Sequence, residues 1–145
     1  MAPHPHRLVV VARDPDRAAV RALLLRTAGV EAVPARGLLS AVRVLWQLGD
    51  VCALLVEDDV PQRVWFEIAR IRRRLGPVST LVVARDARSE SLATRLGFVA
   101  ARAPVLSVDV LRLVGRGCVT EREAWTPEGP WRAMPRPATP RRRAS

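Results

Sequence analysis

Lysine is absent from this chain of 145 residues; all 24 members of its lysine-plus-arginine class are arginine. No site that needs a lysine side chain can be built from it. Cysteine is almost absent too. Cys52 lies inside an apolar run and reads as a small core residue. Cys118 stands at the expected domain end, and two cysteines make neither a disulfide framework nor a metal cluster. His4 and His6 are the only histidines and supply too few ligands for a metal site. There is no glycine-rich phosphate loop, no Ser-His-Asp set and no zinc-ligand spacing, so neither a catalytic residue nor a metal ligand is assigned. No internal repeat is visible. No uncharged apolar segment approaches the ~20 residues of a membrane helix. The short apolar stretch from Leu8 to Ala12 is no signal peptide. The expectation is a non-enzymatic, cytoplasmic protein with no membrane partner.

What remains is ordinary for a globular domain. Hydrophobic residues make up 49% of the chain, and the formal net charge is +10. Residues 1–118 hold 18 arginines against 11 acids, and residues 119–145 hold 6 against 3. Charge is thus shared between domain and tail, and no dedicated basic arm stands out. Such a surface attracts nucleic acid, acidic proteins or anionic lipid without choosing among them.

Hydrophobic periodicity gives an alternating order. Arg7 to Ala12 is a β-branched strand. Asp14-Pro15-Asp16 starts a helix, with Asp14 as cap, Pro15 at the first position and Gly29 as stop. Its expected apolar face is Val20, Leu23, Leu24 and Thr27. Val30 to Val33 is a second strand. Leu38, Leu39, Val42, Leu45 and Trp46 form a second amphipathic helix. Val51 to Val56 is a third strand, and Val64, Ile68, Ile71 and Leu75 line a third helix. Val78 to Ala84, a helix from Ser89 to Leu96, Phe98 to Ala101 and a helix from Ser107 to Val114 complete the series. Five strands alternating with five helices imply a doubly wound parallel sheet, α/β in class, with its crevice at the carboxyl ends of the central strands. Residues 1–6 are expected to be a flexible N-terminus and 7–117 the domain. Residues 118–145 form a Pro/Arg-rich, mostly disordered tail, in which Trp125 and Trp131 either pack back or anchor a partner.

The third strand ends in three acids, Glu57-Asp58-Asp59, followed by Pro61. Together with Asp14-Pro15-Asp16 after strand one and Gly97 before strand five, this resembles the receiver domain of bacterial response regulators over about residues 7–115. The resemblance implies four requirements: acids after strand one that help hold magnesium, an aspartate acceptor four residues before the proline, a hydroxyl ending strand four, and a lysine after strand five. Placed on that pattern, Ala12 and Arg13 fall at the acid pair, beside Asp14. Glu57 falls at the acceptor, Val83 at the hydroxyl and Ala103, before Pro104, at the lysine. Arg13 puts a cation where the metal would sit, so no magnesium or other cofactor is expected. Arg13 is expected to pair instead with Glu57 or Asp58.

The resulting expectation is a pseudo-receiver that binds another regulatory protein without being phosphorylated. Its expected surface is residues 87–115, including Arg95, Arg102 and Arg112. Two alternatives stay open: a phosphorylation-competent receiver using Asp58 or Asp59 with help from Asp14, and a basic nucleic-acid-binding regulator. A homodimer is a further partner class. The acids also read as the solvated end of a strand. Arg70, Arg72, Arg73 and Arg74 read as a solvated helix face without interleaved aromatics. Trp65 and Phe66 read as helix packing, and Asp86 and Glu90 as caps or surface charge.

Overall fold

Apolar inner strands covered by helices on both faces build the molecule in three layers. The computed structural model describes residues 7–49, 51–76 and 78–114. The chain runs β1 (Arg7–Val11), α1 (Pro15–Thr27), β2 (Glu31–Ala35), α2 (Leu38–Leu48), β3 (Ala53–Val56), α3 (Gln62–Leu75), β4 (Ser79–Ala84), α4 (Ala87–Arg95) and β5 (Val99–Arg102). A helix over 107–114, α5, follows. The sheet order is β2-β1-β3-β4-β5, and every pair is parallel. This is the doubly wound sheet that the alternating pattern implies. The flexible N-terminus with His4 and His6, and the tail with Cys118, Trp125 and Trp131, lie outside the described residues.

Successive strand residues point to opposite faces. Leu8, Val10, Leu55, Leu81 and Val83 fill one side with Ala18, Ala22 and Leu25 of α1 and Val110 and Val114 of α5. Val9, Val11, Leu54, Val56 and Val82 fill the other side with α2, α3 and α4. Both faces are buried, so β3 and β4 read as unbroken apolar runs. Each fully buried leucine or valine is worth roughly 1.5–3 kcal/mol. Pro34 is tolerated because β2 is an edge strand.

Start signals in the sequence work as expected. The Asp14 carboxylate accepts the Asp16 amide at 3.0 Å, and Pro15 opens α1. Asp86 caps α4 by accepting the Ser89 amide at 2.9 Å. Hydrogen bonds from that amide, and then from the Ser89 hydroxyl, hold the Asp86 carboxyl below the usual aspartate range.

Helix phase differs from expectation in three places. In α1 the buried residues are Ala18, Ala22 and Leu25, while Val20, Leu23 and Leu24 are exposed. Small side chains face the sheet, so the helix can approach it closely. In α2, Ala41, Val42 and Leu45 go inward, but Leu39 and Trp46 face solvent, Trp46 at 67% exposure. In α3, Arg72 is not part of a solvated face. It is 9% exposed, donates to the Leu96 carbonyl at 3.4 Å and lies 5.9 Å from the Phe98 ring centre. Trp65 packs inside, whereas Phe66 is 52% exposed on the same helix as the outer arginines. Ser107 is the first helical residue of α5 rather than its cap, and the Asp109 carboxylate takes the Leu106 amide at 3.2 Å.

Gly97 sits at φ +86° where α4 turns into β5, and a Cβ there would collide with the Arg72 guanidinium. Gly97→Ala is expected to destabilise the domain by about 1–3 kcal/mol, through backbone strain and the displaced arginine. Urea unfolding of the two proteins measures this, and an unchanged midpoint would refute it.

Candidate functional site

The pleat decides what happens at the end of β3. Ala53 and Leu55 point toward α1 and α5, and Leu54 and Val56 point away. Glu57 continues the first set. Its amide still donates to the Val11 carbonyl at 2.9 Å, and the residue is 1% exposed. A carboxylate buried this deeply needs a partner. Arg21 supplies it from α1: Nε donates to Oε2 at 2.5 Å and Nη2 to Oε1 at 3.3 Å. The remaining Nη1 donates to the Val105 carbonyl at 2.6 Å. One guanidinium therefore joins α1, the end of β3 and the β5–α5 connection, in the two-pronged geometry that arginine favours. One turn earlier, Arg17 lies 3.8 Å from Glu57 and forms an ion pair with Asp58.

Arg13 is therefore not the counter-ion of Glu57 or Asp58. It contributes its backbone amide, which donates to Asp59 Oδ1 at 3.1 Å, and the Asp14 amide donates to Oδ2 at 2.9 Å. Asp59 thus clamps the β1–α1 turn. The reason is directional: Glu57 leaves the sheet on the α1 side, and Arg17 and Arg21, at i and i+4, reach it from that helix. Their spacing is visible in the sequence, but the phase of α1 is masked by its exposed leucines.

The remaining positions lie along β1, β4, α4, β5 and α5. Ala12 is fully buried at the end of β1. Val83 is buried in β4 opposite Ala101, so an apolar side chain stands where the resemblance calls for a hydroxyl. The Ala103 amide donates to the Ala84 carbonyl at 2.9 Å, which sets it beside the end of β4. Arg102 pairs with Glu90 and Arg112 with Asp109, each at 3.0 Å. Arg95 lies exposed in the last turn of α4.

Magnesium, which the resemblance implies, would be held by carboxylates, carbonyls and water. Here Glu57 and Asp58 face guanidiniums, Asp59 faces two amides and Asp14 caps its own helix. Among the described residues no three or more His, Cys, Asp or Glu gather as metal ligands. This donor set does not fit a divalent cation.

A five-stranded doubly wound sheet with acids at the end of its central strand is the architecture of response-regulator receiver (CheY-like) domains, and this chain has that fold. A receiver domain protein from Clostridium thermocellum matches it with TM-score 0.68 at 15% identity, covering 81% of this chain and 98% of that one. A putative pilus assembly-related protein from Burkholderia pseudomallei matches at 0.63 and 22% identity, covering 79% and 90%. The receiver domain of a Saccharomyces cerevisiae response regulator, crystallised with a histidine phosphotransfer signaling protein, matches at 0.63 and 16% identity, covering 81% and 92%. No family model and no curated protein matches the chain. At these identities the likeness shows the fold. Among the described residues, no helix is long and apolar enough to cross a membrane.

Removing Arg21 strands a buried carboxylate. Arg21→Met is expected to cost about 3 kcal/mol, and adding Glu57→Leu should recover most of that loss. Urea unfolding of the parent, single and double variants measures the coupling. A single variant that loses under about 1 kcal/mol would show the pair to be incidental.

Proposed function

We propose that the protein is a phosphorylation-independent pseudo-receiver, a regulatory module of bacterial signalling or transcription control that acts by binding another regulatory protein. The observation that carries this reading is the Arg21–Glu57 pair. A carboxylate at the acceptor position, held on both oxygens by an internal arginine, has its charge balanced without a metal and both oxygens engaged against phosphoryl transfer. The module is read as non-enzymatic and cofactor-free, with no magnesium in its working state. Asp58 and Asp59 are poor replacements for the acceptor, because the first is tied to Arg17 and the second to two backbone amides.

The fold supports a partner of regulatory type. A yeast receiver of the same fold was crystallised with a histidine phosphotransfer signaling protein. The contact surface is read as α4–β5–α5, with Arg95, Arg102 and Arg112, extended toward α1. Exposed apolar side chains favour the extension: Val20, Leu23 and Leu24 on α1, and Leu106 and Val108 at the start of α5. Val20 and Leu24 border a groove that Val105, Arg21 and Glu57 also line. A partner seated there would read the arginine-closed site directly.

Intact mass after incubation with acetyl phosphate and magnesium tests the reading. The expected result is an unmodified parent protein. A phosphoryl adduct lost in Asp58→Asn or Asp59→Asn would replace the reading with that of a working receiver.

A further inference from the structure

On the opposite side of the same sheet edge, arginines are in excess. A cavity of about 450 Å³ opens between the ends of β1 and β3 and the first turns of α2 and α3. Its polar wall is Arg13, Arg36 and Arg63, and among the described residues no carboxylate lines it. Its apolar wall includes Leu38, Val60 and Val64. We propose that this cavity binds a phosphorylated small molecule, with the phosphate on the arginines and an apolar body against the aliphatic wall.

Location supports this first. In doubly wound sheets, ligands bind outside the carboxyl ends of the strands, where the strand order reverses. Here that point lies between β1 and β3, since β2 is on one side of β1 and β3 on the other. Size fits as well, because small-molecule sites commonly fall between about 300 and 1,000 Å³ and mix apolar walls with a few polar groups.

Charge supports it independently. Three guanidiniums around one cavity repel each other, and an anion relieves that repulsion. Arginine forks match phosphate oxygens in pairs. Both neighbouring helices make the imbalance worse. Neither α2 nor α3 has an acid in its first turn or a side-chain cap on its first amides. Positive helix ends and open amides therefore add to the arginine field. Nearby acids offer little relief. Glu57 is paired with Arg21 and Asp58 with Arg17; Asp59, which takes the Arg13 and Asp14 amides, is the one of the three whose charge still reaches Arg13. Arg13 also borders the adjoining cavity that holds Asp58 and Asp59, so Arg36 and Arg63 are the diagnostic pair. This inference stands apart from the partner-binding reading: a module that is never phosphorylated can still take a chemical input here.

Calorimetric titration of the full chain with sodium pyrophosphate and with adenosine monophosphate, at fixed ionic strength, tests it. Saturable binding is expected for at least one of the two probes. Arg36→Gln with Arg63→Gln should weaken it about tenfold or more, as the loss of charged hydrogen bonds implies. Arg88→Gln should leave it unchanged, because Arg88 is exposed on α4 and does not line the cavity. Both substituted arginines are exposed, so the double variant is expected to keep its fold, checked by circular dichroism. Absence of saturable binding by either probe would overturn the proposal. So would equal weakening in Arg88→Gln, or an unaffected double variant, since either means general attraction to a chain of charge +10.

Discussion

The pleat of β3 is the constraint on which the site depends. Side chains 53, 55 and 57 leave the same face of the sheet, and that face lies under α1 and α5. An acid at position 57 must therefore meet α1. Burial then makes a cation obligatory, because a desolvated carboxylate without a partner costs far more than folding leaves to spare. Arg21 meets the requirement and also holds the Val105 carbonyl, so the pair fixes three segments at once. Arg17 and Asp58 add a second, more exposed pair outside it. Such a centre is better suited to holding the edge of the sheet in one state than to switching between two.

Glutamate rather than aspartate at this position follows the same logic. Its extra methylene carries the carboxylate further from the strand, toward a guanidinium that comes from α1 on the same face. Glu57 is buried, and Arg21 is the nearer cation to its two oxygens, with Arg17 further off at 3.8 Å. An apolar surround also strengthens the attraction between the charges it encloses.

The element order was legible because the inner strands are apolar runs and the first helix begins and ends on residues with a mechanism: Asp14, Pro15 and Gly29. The placement of Glu57 at the end of the third strand was legible for the same reason. Its partner was not. The phase of α1 turns on Ala18 and Ala22, which are buried because they are small, while the larger Val20, Leu23 and Leu24 stay outside. Periodicity read from bulk selects the wrong face of such a helix and so hides Arg21. Arg72 was hidden by its neighbours. A run of arginines reads as a solvated face, yet one of them turns inward because the Leu96 carbonyl and the Phe98 ring offer a place for its charge. Both misreadings concern tertiary packing, which a one-dimensional pattern does not contain.

Charge is divided unequally across the sheet edge. On the α1 side, Glu57 and Asp58 are each paired with an arginine. On the side of α2 and α3, Arg13, Arg36 and Arg63 line a cavity without an acid among the described residues. A purely structural surface has no reason to concentrate like charge at two positive helix ends, since each added cation there opposes the others and the helix dipoles. Solubility is served equally well by spreading arginines elsewhere. The imbalance is more economically explained as a site whose complement is a separate anion. The doubly wound topology explains why it lies where it does, because the crevice between β1 and β3 exists whatever the neighbouring acids do. Neutralising one side of the edge with an internal ion pair leaves the other side as the open position on the sheet.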